Sequence, residues 1–333
     1  MEKSRDVIRR QHKSLATEKQ YCGWIALYLR FCFTLPADMP SEKKFEAFLT
    51  YQAKVKDVAA STQNSAFHAV RFFYEQVLGK VLGKIDALRA TRPDRLRTAP
   101  SIADTHKLLA AVPDVGGYPT NLIARLLYGR GLRVSEPLNL RMKDIRFDER
   151  KIFIIAGKGR KDRVVRLDDW MVEPLQRQMV AALLVWESDV RNGVPLEVPH
   201  QLARKYPETR FSKHWAWVFP SRTTCRHPRT DEIVRYRMHE ANVQRAFKLA
   251  RAKTGVLAVP HEMRHAHATH LLDTGLVNPK ALQEEMGHKD IRTTFGYCHA
   301  DALNVLDPTL ISPRQTIIAV PTLHPHRLEY HHA

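Results

Sequence analysis

No run of about 18 apolar residues occurs anywhere in the 333-residue chain, which excludes a membrane-spanning helix. Cysteine is sparse: Cys22, Cys32, Cys225 and Cys298 are scattered and form no C-x-x-C pair, which argues against a disulfide framework or a cysteine-rich zinc site. There is no internal repeat and no low-complexity tract. Acidic residues are in deficit, with 35 Asp and Glu against 53 Lys and Arg and a formal net charge of +18. The opening MEKSRDVIRRQHKS has no apolar stretch behind it, so no secretory signal peptide is expected and the cytoplasm is the predicted compartment. What is plentiful is apolar content: a 44% hydrophobic share can fill a core and excludes wholesale disorder. The length predicts two or three domains. The excess of base favours a polyanionic partner, and nucleic acid is the first candidate.

Residues 14–90 read as a small all-helical domain. Tyr21, Trp24, Ile25, Tyr28, Leu29 and Phe31 recur at helical spacing, as do Phe45, Phe48, Leu49 and Tyr51 after Ser41, a candidate cap. A third pattern runs through Phe67, Val70, Phe72, Phe73, Val77 and Leu78, and the aromatics are expected in its core. The segment RATRPDRLRTAP, with four arginines and two prolines, reads as a linker over 89–101. Helices are predicted over 102–112, 120–128, 169–187, 239–252, 262–273 and 279–286. KIFIIA (151–156) and RVVRL (163–167) read as strands joined by a glycine-containing turn. Residues 190–238, rich in proline and aromatics, interrupt the pattern as an insertion with structure of its own, and 316–333 reads as a tail. The fold class expected is mainly α with a small β-sheet. The boundaries are an N-terminal domain over 1–88 and a second domain over 102–315.

Two chemistries compete for the same residues. His261-Glu262-Met263-Arg264-His265 matches H-E-x-x-H, which on a helix puts two imidazoles one turn apart with a base beside them, and Glu285 is a conceivable third ligand. That motif has three fixed positions in a chain of 17 histidines, and Arg264 would set a cation beside the dication. Zinc hydrolysis is therefore the lesser reading. The second takes His261 and Arg264 as an H-x-x-R pair on one helix face, suited to a phosphate. Arg133 lies in a second arginine-bearing turn, Gly131–Glu136, where Ser135 is placed to cap the helix that follows. Lys158 sits at the tip of the predicted hairpin. His288 and Tyr297 follow further on.

The series GLRVSE, GKGRKDR, HEMRHAHATHLL and GHKDIRTTFGY, taken in order, resembles the tyrosine site-specific recombinases of the phage integrase family, from about Thr105 to Val305. The resemblance implies a two-domain C-shaped clamp on duplex DNA, with a helical core-binding domain and a catalytic domain. It implies Tyr297 as the nucleophile, Arg133 and Arg264 as a phosphate clamp and Lys158 as the general acid. His261 and His288 would complete the pocket, and Glu136 would support an arginine. It further implies a 3′-phosphotyrosyl intermediate and no metal or cofactor. The assembly implied is a tetramer on DNA from a free monomer, with Leu303–Val320 as the exchanged segment. His265, His267 and His270 receive only packing or surface roles. The basic stretch from Arg141 to Arg166, with Arg160 and Lys161, would meet phosphates.

Within 190–238, the fragments ARKYP, W-x-W-VFPS and HPR are similar to those of integron integrases, which carry an extra element at this place. Tyr236-Arg237 stands where those proteins often show paired histidines. This implies a bacterial, nucleoid-associated enzyme acting on gene cassettes, with one site bound as a folded single strand. Trp215, Trp217, Tyr236 and Arg237 are the residues expected to contact its protruding bases. The alternative is a phage- or transposon-type integrase with an unrelated insertion.

Overall fold

The structure is a computed structural model, and it describes residues 1–87, 99–155, 162–275 and 277–287. The fold is mainly helical with two small sheets. The chain divides into two units, Met1–Arg97 and Thr98–Ala333. No helix among the described residues is long and apolar enough to cross a membrane.

The first unit is a helical bundle of α1 (Glu2–Arg10), α2 (Leu15–Cys32), α3 (Ser41–Lys54) and α4 (Ala60–Phe72). A π-helical turn over Phe73–Leu78 continues α4. Tyr28, Phe45, Phe48, Leu49, Val70 and Tyr74 form its core, so these aromatics serve packing as the periodicity predicts. The Tyr28 and Tyr74 hydroxyls satisfy each other inside it at 2.6 Å. Three local details differ from the sequence reading. Helix α1, too polar to register as a periodic apolar stripe, precedes the expected start. Ser41 is the first helical residue and Pro40 holds the cap position, so the serine makes no capping bond. The helical reading to residue 90 ends at Leu78, where Gly79 turns left-handed with φ 69°.

The second unit contains α5 (Ile102–Ala111), α6 (Thr120–Gly129), α7 (Ser135–Leu138), α8 (Asp169–Arg191), α9 (His200–Lys205), α10 (Glu240–Thr254), α11 (Pro260–Asp273) and α12 (Pro279–Met286). Between α7 and α8 lies an antiparallel sheet of β1 (Ile145–Arg146), β2 (Lys151–Ile154) and β3 (Arg163–Arg166), in that order. The register pairs Ile145 with Ile152 and Ile152 with Val165, which puts Ile152, Ile154 and Val165 on the buried face. The two long strands are shorter than read, and β1 escapes the sequence because two residues carry no alternation.

The insertion departs from expectation. It has a ribbon of β4 (Cys225–Arg226) and β5 (Ile233–Val234), but it builds no separate core. Leu196, Val198, Trp217, Val218, Phe219 and Met238 join the same hydrophobic cluster as α5, α6, α8 and α10. Backbone bonds from Met142 to Ala216 and from Val218 to Leu140, both 3.0 Å, lay the insertion alongside the chain that enters β1. The proline-rich segment is therefore part of the unit's wall.

Candidate active site

Three elements meet around the C-terminal end of α12. The turn after α6 supplies Arg133, α11 supplies Arg264, and β3 supplies Arg163. A helix leaves its last carbonyls without intrahelical partners at the negative end of its dipole. Here each of three successive carbonyls receives a guanidinium. Arg163 Nε donates to the Glu285 oxygen at 2.7 Å, Arg264 Nη2 to that of Met286 at 2.6 Å, and Arg133 Nη2 to that of Gly287 at 3.5 Å.

Arg264 is only 2% exposed, and its other Nη donates to the Gly131 carbonyl. Gly131, at φ 54°, makes the turn that presents Arg133. Glu136 fixes that turn. Its carboxylate accepts from the Arg133 amide at 2.8 Å and Nη1 at 2.9 Å. Ser135 is thus the first residue of α7 rather than its cap, Val134 holds the cap position, and no side chain caps the helix. Burial pushes the Glu136 carboxyl up, but Arg163 and then Arg133 more than reverse this and hold it at about 2. Behind the turn, Arg130 pairs with Asp168 and, at 3.1 Å, with Glu285. Four guanidinium groups thus face three carboxylates, Glu136, Asp168 and Glu285. Both Nη atoms of Arg264 donate to neutral backbone carbonyls, of Gly131 and Met286.

His261 is exposed in the first turn of α11, and its ring stands edge-on to that of buried His265 at 4.6 Å. Glu262 accepts from the Val259 amide at 2.6 Å and caps the helix, while Glu285 is engaged by Arg130. The acid that a zinc peptidase would use as base and the residue considered as third ligand are therefore occupied in holding the fold. His267 and His270 are also structural. His267 is 6% exposed and lies against Gly131. His270 donates to the Pro100 carbonyl at 2.9 Å while its Nδ1 meets the Tyr128 hydroxyl at 3.0 Å.

Lys158, Arg160, Lys161, His288 and Tyr297, together with the segment 303–320, lie outside the described residues. The structure therefore brings together Arg133, Arg264 and Glu136 and places His261 at the start of the same helix as Arg264.

The basic stretch from 141 to 166 is not uniformly turned outward. Lys143, Arg146, Arg150, Lys151 and Arg166 are exposed, but Arg163 faces inward, and so does Arg141. The sequence reading missed Arg163, although strand alternation carries the signal: it shares a face with buried Val165. Arg141 lies 2.9 Å from the ring centroid of Trp217 and donates to the Trp215 and Glu197 carbonyls at 2.8 Å. Burial pushes its guanidinium down to about 9, which still leaves it a cation at neutral pH, with Glu197 and Asp144 opposing the shift.

Trp217 corrects the expectation of a base-stacking role. It is 5% exposed, wedged by Arg141, and its Nε1 donates to the Arg235 carbonyl at 3.3 Å. Trp215 is half-buried, with Lys143 Nζ 3.9 Å from its ring centroid. Tyr236 is 39% exposed, 6.0 Å from Trp217, and Arg237 beside it donates to the Met238 carbonyl at 3.2 Å.

Comparison with known proteins follows the same lines. Residues 102–303 match the Phage integrase family, and residues 1–84 match the phage integrase N-terminal SAM-like domain. The chain is 35% identical over 304 residues to an integrase/recombinase of Escherichia coli, covering 90% of this chain and 88% of that one. It is 30% identical over 269 residues to tyrosine recombinase XerD of Agrobacterium fabrum, covering 76% and 74%. The fold is shared with the Tn1549 transposon integrase in complex with transposon right end DNA (TM-score 0.60, 19% identity, 93% and 99% covered). It is also shared with a lambda integrase dimer bound to a core site (TM-score 0.57, 16% identity, 88% and 92% covered). With the arginine-ringed end of α12 and this match over most of its length, the chain belongs to the phage integrase family, the tyrosine recombinases, enzymes that break and rejoin DNA strands.

Proposed function

We propose that this protein is a site-specific recombinase that cleaves and rejoins DNA through a 3′-phosphotyrosyl intermediate and moves gene cassettes in the manner of an integron integrase. The observation that carries the reading is the convergence of Arg133 and Arg264 at the end of α12, just before the segment with His288 and Tyr297. A phosphodiester is anionic and repels nucleophiles. Two guanidinium groups on its non-bridging oxygens neutralise that charge and stabilise what builds up in the transition state. The Tyr297 oxygen attacks phosphorus and loses its proton, the bond to the 5′-oxygen breaks, and Lys158 supplies the leaving oxygen with a proton. His261 and His288 complete the pocket. One phosphoester replaces another, so no energy source is consumed. Attack by a different 5′-hydroxyl reverses the step and exchanges strands.

In this reading residues 1–88 are the core-binding domain and 102–315 the catalytic domain, closing as a clamp on DNA. Four protomers act in the bacterial cytoplasm, each passing Leu303–Val320 to a neighbour. One site is a duplex and the other a folded strand with protruding bases. The exposed ring of Tyr236, with Arg237, is the recognition surface, and half-buried Trp215 is the second stacking candidate. Arg160 and Lys161 meet the backbone near the hairpin.

The test is a suicide DNA substrate that traps a covalent adduct. Tyr297→Phe should bind DNA and form none; an adduct with the Phe variant removes Tyr297 as nucleophile. Lys158→Ala should lose roughly 10²–10⁴ in rate and recover on a 5′-phosphorothiolate, whose leaving group needs no proton. For the cassette role, binding to hairpins with and without bulged bases should differ in the wild type and not in Tyr236→Ala. Indifference to the bulges favours an ordinary phage or transposon integrase.

A further inference from the structure

All three guanidinium nitrogens of Arg163 donate hydrogen bonds near the site, and the reaction scheme gives this residue no role. Its side chain is 8% exposed. Both Nη atoms donate to Glu136, each at 2.8 Å, one to each carboxylate oxygen. Its Nε donates to the Glu285 carbonyl at 2.7 Å, and its Cδ would lie 3.2 Å from a Cβ at Gly287. One side chain thus joins the strand that leaves the hairpin, the helix behind Arg133 and the end of α12.

The charges make this more than a brace. Glu136 orients Arg133, but a lone carboxylate on a guanidinium also cancels the charge that a phosphate would need. The fork from Arg163 matches both oxygens of Glu136 and supplies the compensating cation. Arg133 then keeps its orienting bonds while the three groups together carry a net positive charge.

We infer that Arg163 is a positioning residue: it neutralises Glu136 so that Arg133 is held in place yet remains cationic toward the scissile phosphate, and it does not itself touch DNA. This rests on the reading of Arg133 as a phosphate ligand.

The experiment measures adduct formation by full-length protein on two suicide duplexes. One has an ordinary phosphodiester at the cleavage point. The other has a methylphosphonate there, whose non-bridging oxygen charge is gone. Arg163→Ala should slow cleavage of the diester by roughly 10–100-fold, the usual scale for loss of a supporting partner. On the methylphosphonate that deficit should vanish, because no anion needs Arg133. Arg163→Lys, which keeps a cation against Glu136, should restore most of the diester rate and serves if the alanine variant does not fold. The salt dependence of DNA binding should match the wild type in both variants. An equal deficit on both substrates would make Arg163 merely structural and overturn the inference. A salt slope shallower by about one would show a direct phosphate contact and overturn it too. If Arg133→Ala itself leaves diester cleavage intact, the reading of the site fails, and the inference with it.

Discussion

The imidazole of His267 lies against Gly131 so closely that a Cβ on that glycine would fall 2.6 Å from the histidine Cδ2. The same glycine holds φ 54° and accepts from Arg264 through its carbonyl. One residue therefore bears a left-handed backbone, a buried ring and an arginine. Gly131→Ala should destabilise the second unit by about 2–4 kcal/mol, combining the backbone cost with overpacking. Urea denaturation checks this, and an unchanged midpoint would refute the packing.

His267 also imposes a pH dependence. Burial lowers its basicity first. The Tyr128 carbonyl opposes this, and Arg130, Arg264 and His270 add to it, so the group titrates at about 4 rather than 6.5. The unfolded chain takes up this proton as pH falls through 6.5 while the folded chain does not. Stability is full above that value and declines between pH 6.5 and 4, by about 3 kcal/mol at most. His267→Phe should flatten this window in urea midpoints measured against pH. A slope as steep as the wild type would place the proton elsewhere.

Glu136 acts in a lower window. Its folded value of about 2 lies below the ordinary 4.5, so its stabilisation is present above 4.5 and is lost as pH falls toward 2. Glu136→Gln should remove that lower-window slope while leaving the one between 6.5 and 4 in place. The measurement is the same titration, and a change confined to the upper window would contradict the assignment.

Asp189 and Arg235 form a two-pronged buried ion pair at 2.6 and 2.5 Å, tying α8 to the insertion. Asp189→Ala would leave Arg235 charged and desolvated, and the expected loss is about 3–5 kcal/mol. A loss below about 1 kcal/mol in chemical denaturation would mean that the insertion docks without it.

Trp217→Ala should cost about 3–5 kcal/mol because it empties a filled core site, and Trp215→Ala should cost less because that ring is half-buried. Thermal melts of the two variants rank them. The reverse order would restore Trp217 to the surface and to the list of base contacts.

The amino-acid order by itself determined the helical class, the two-unit division and the β2–β3 hairpin and, through the resemblance of its motif series, the grouping of Arg133, Glu136 and Arg264. The first three depend on local periodicity, and the grouping on motifs whose order resembles that of the family. Tertiary structure alone decided which way individual side chains turn. Arg141 and Arg163 belong to a basic stretch that looks like a phosphate-facing surface, yet each is drawn inward, one by the face of Trp217 and one by the carboxylate of Glu136. Trp217 looks like a stacking platform and is instead core, because residues 140–142 pair with 216–218 across some 75 positions of chain. The three arginines at the end of α12 come from segments far apart in sequence. No local pattern specifies that meeting, because it follows from packing α6, α11 and β3 around the unpartnered carbonyls of one helix end.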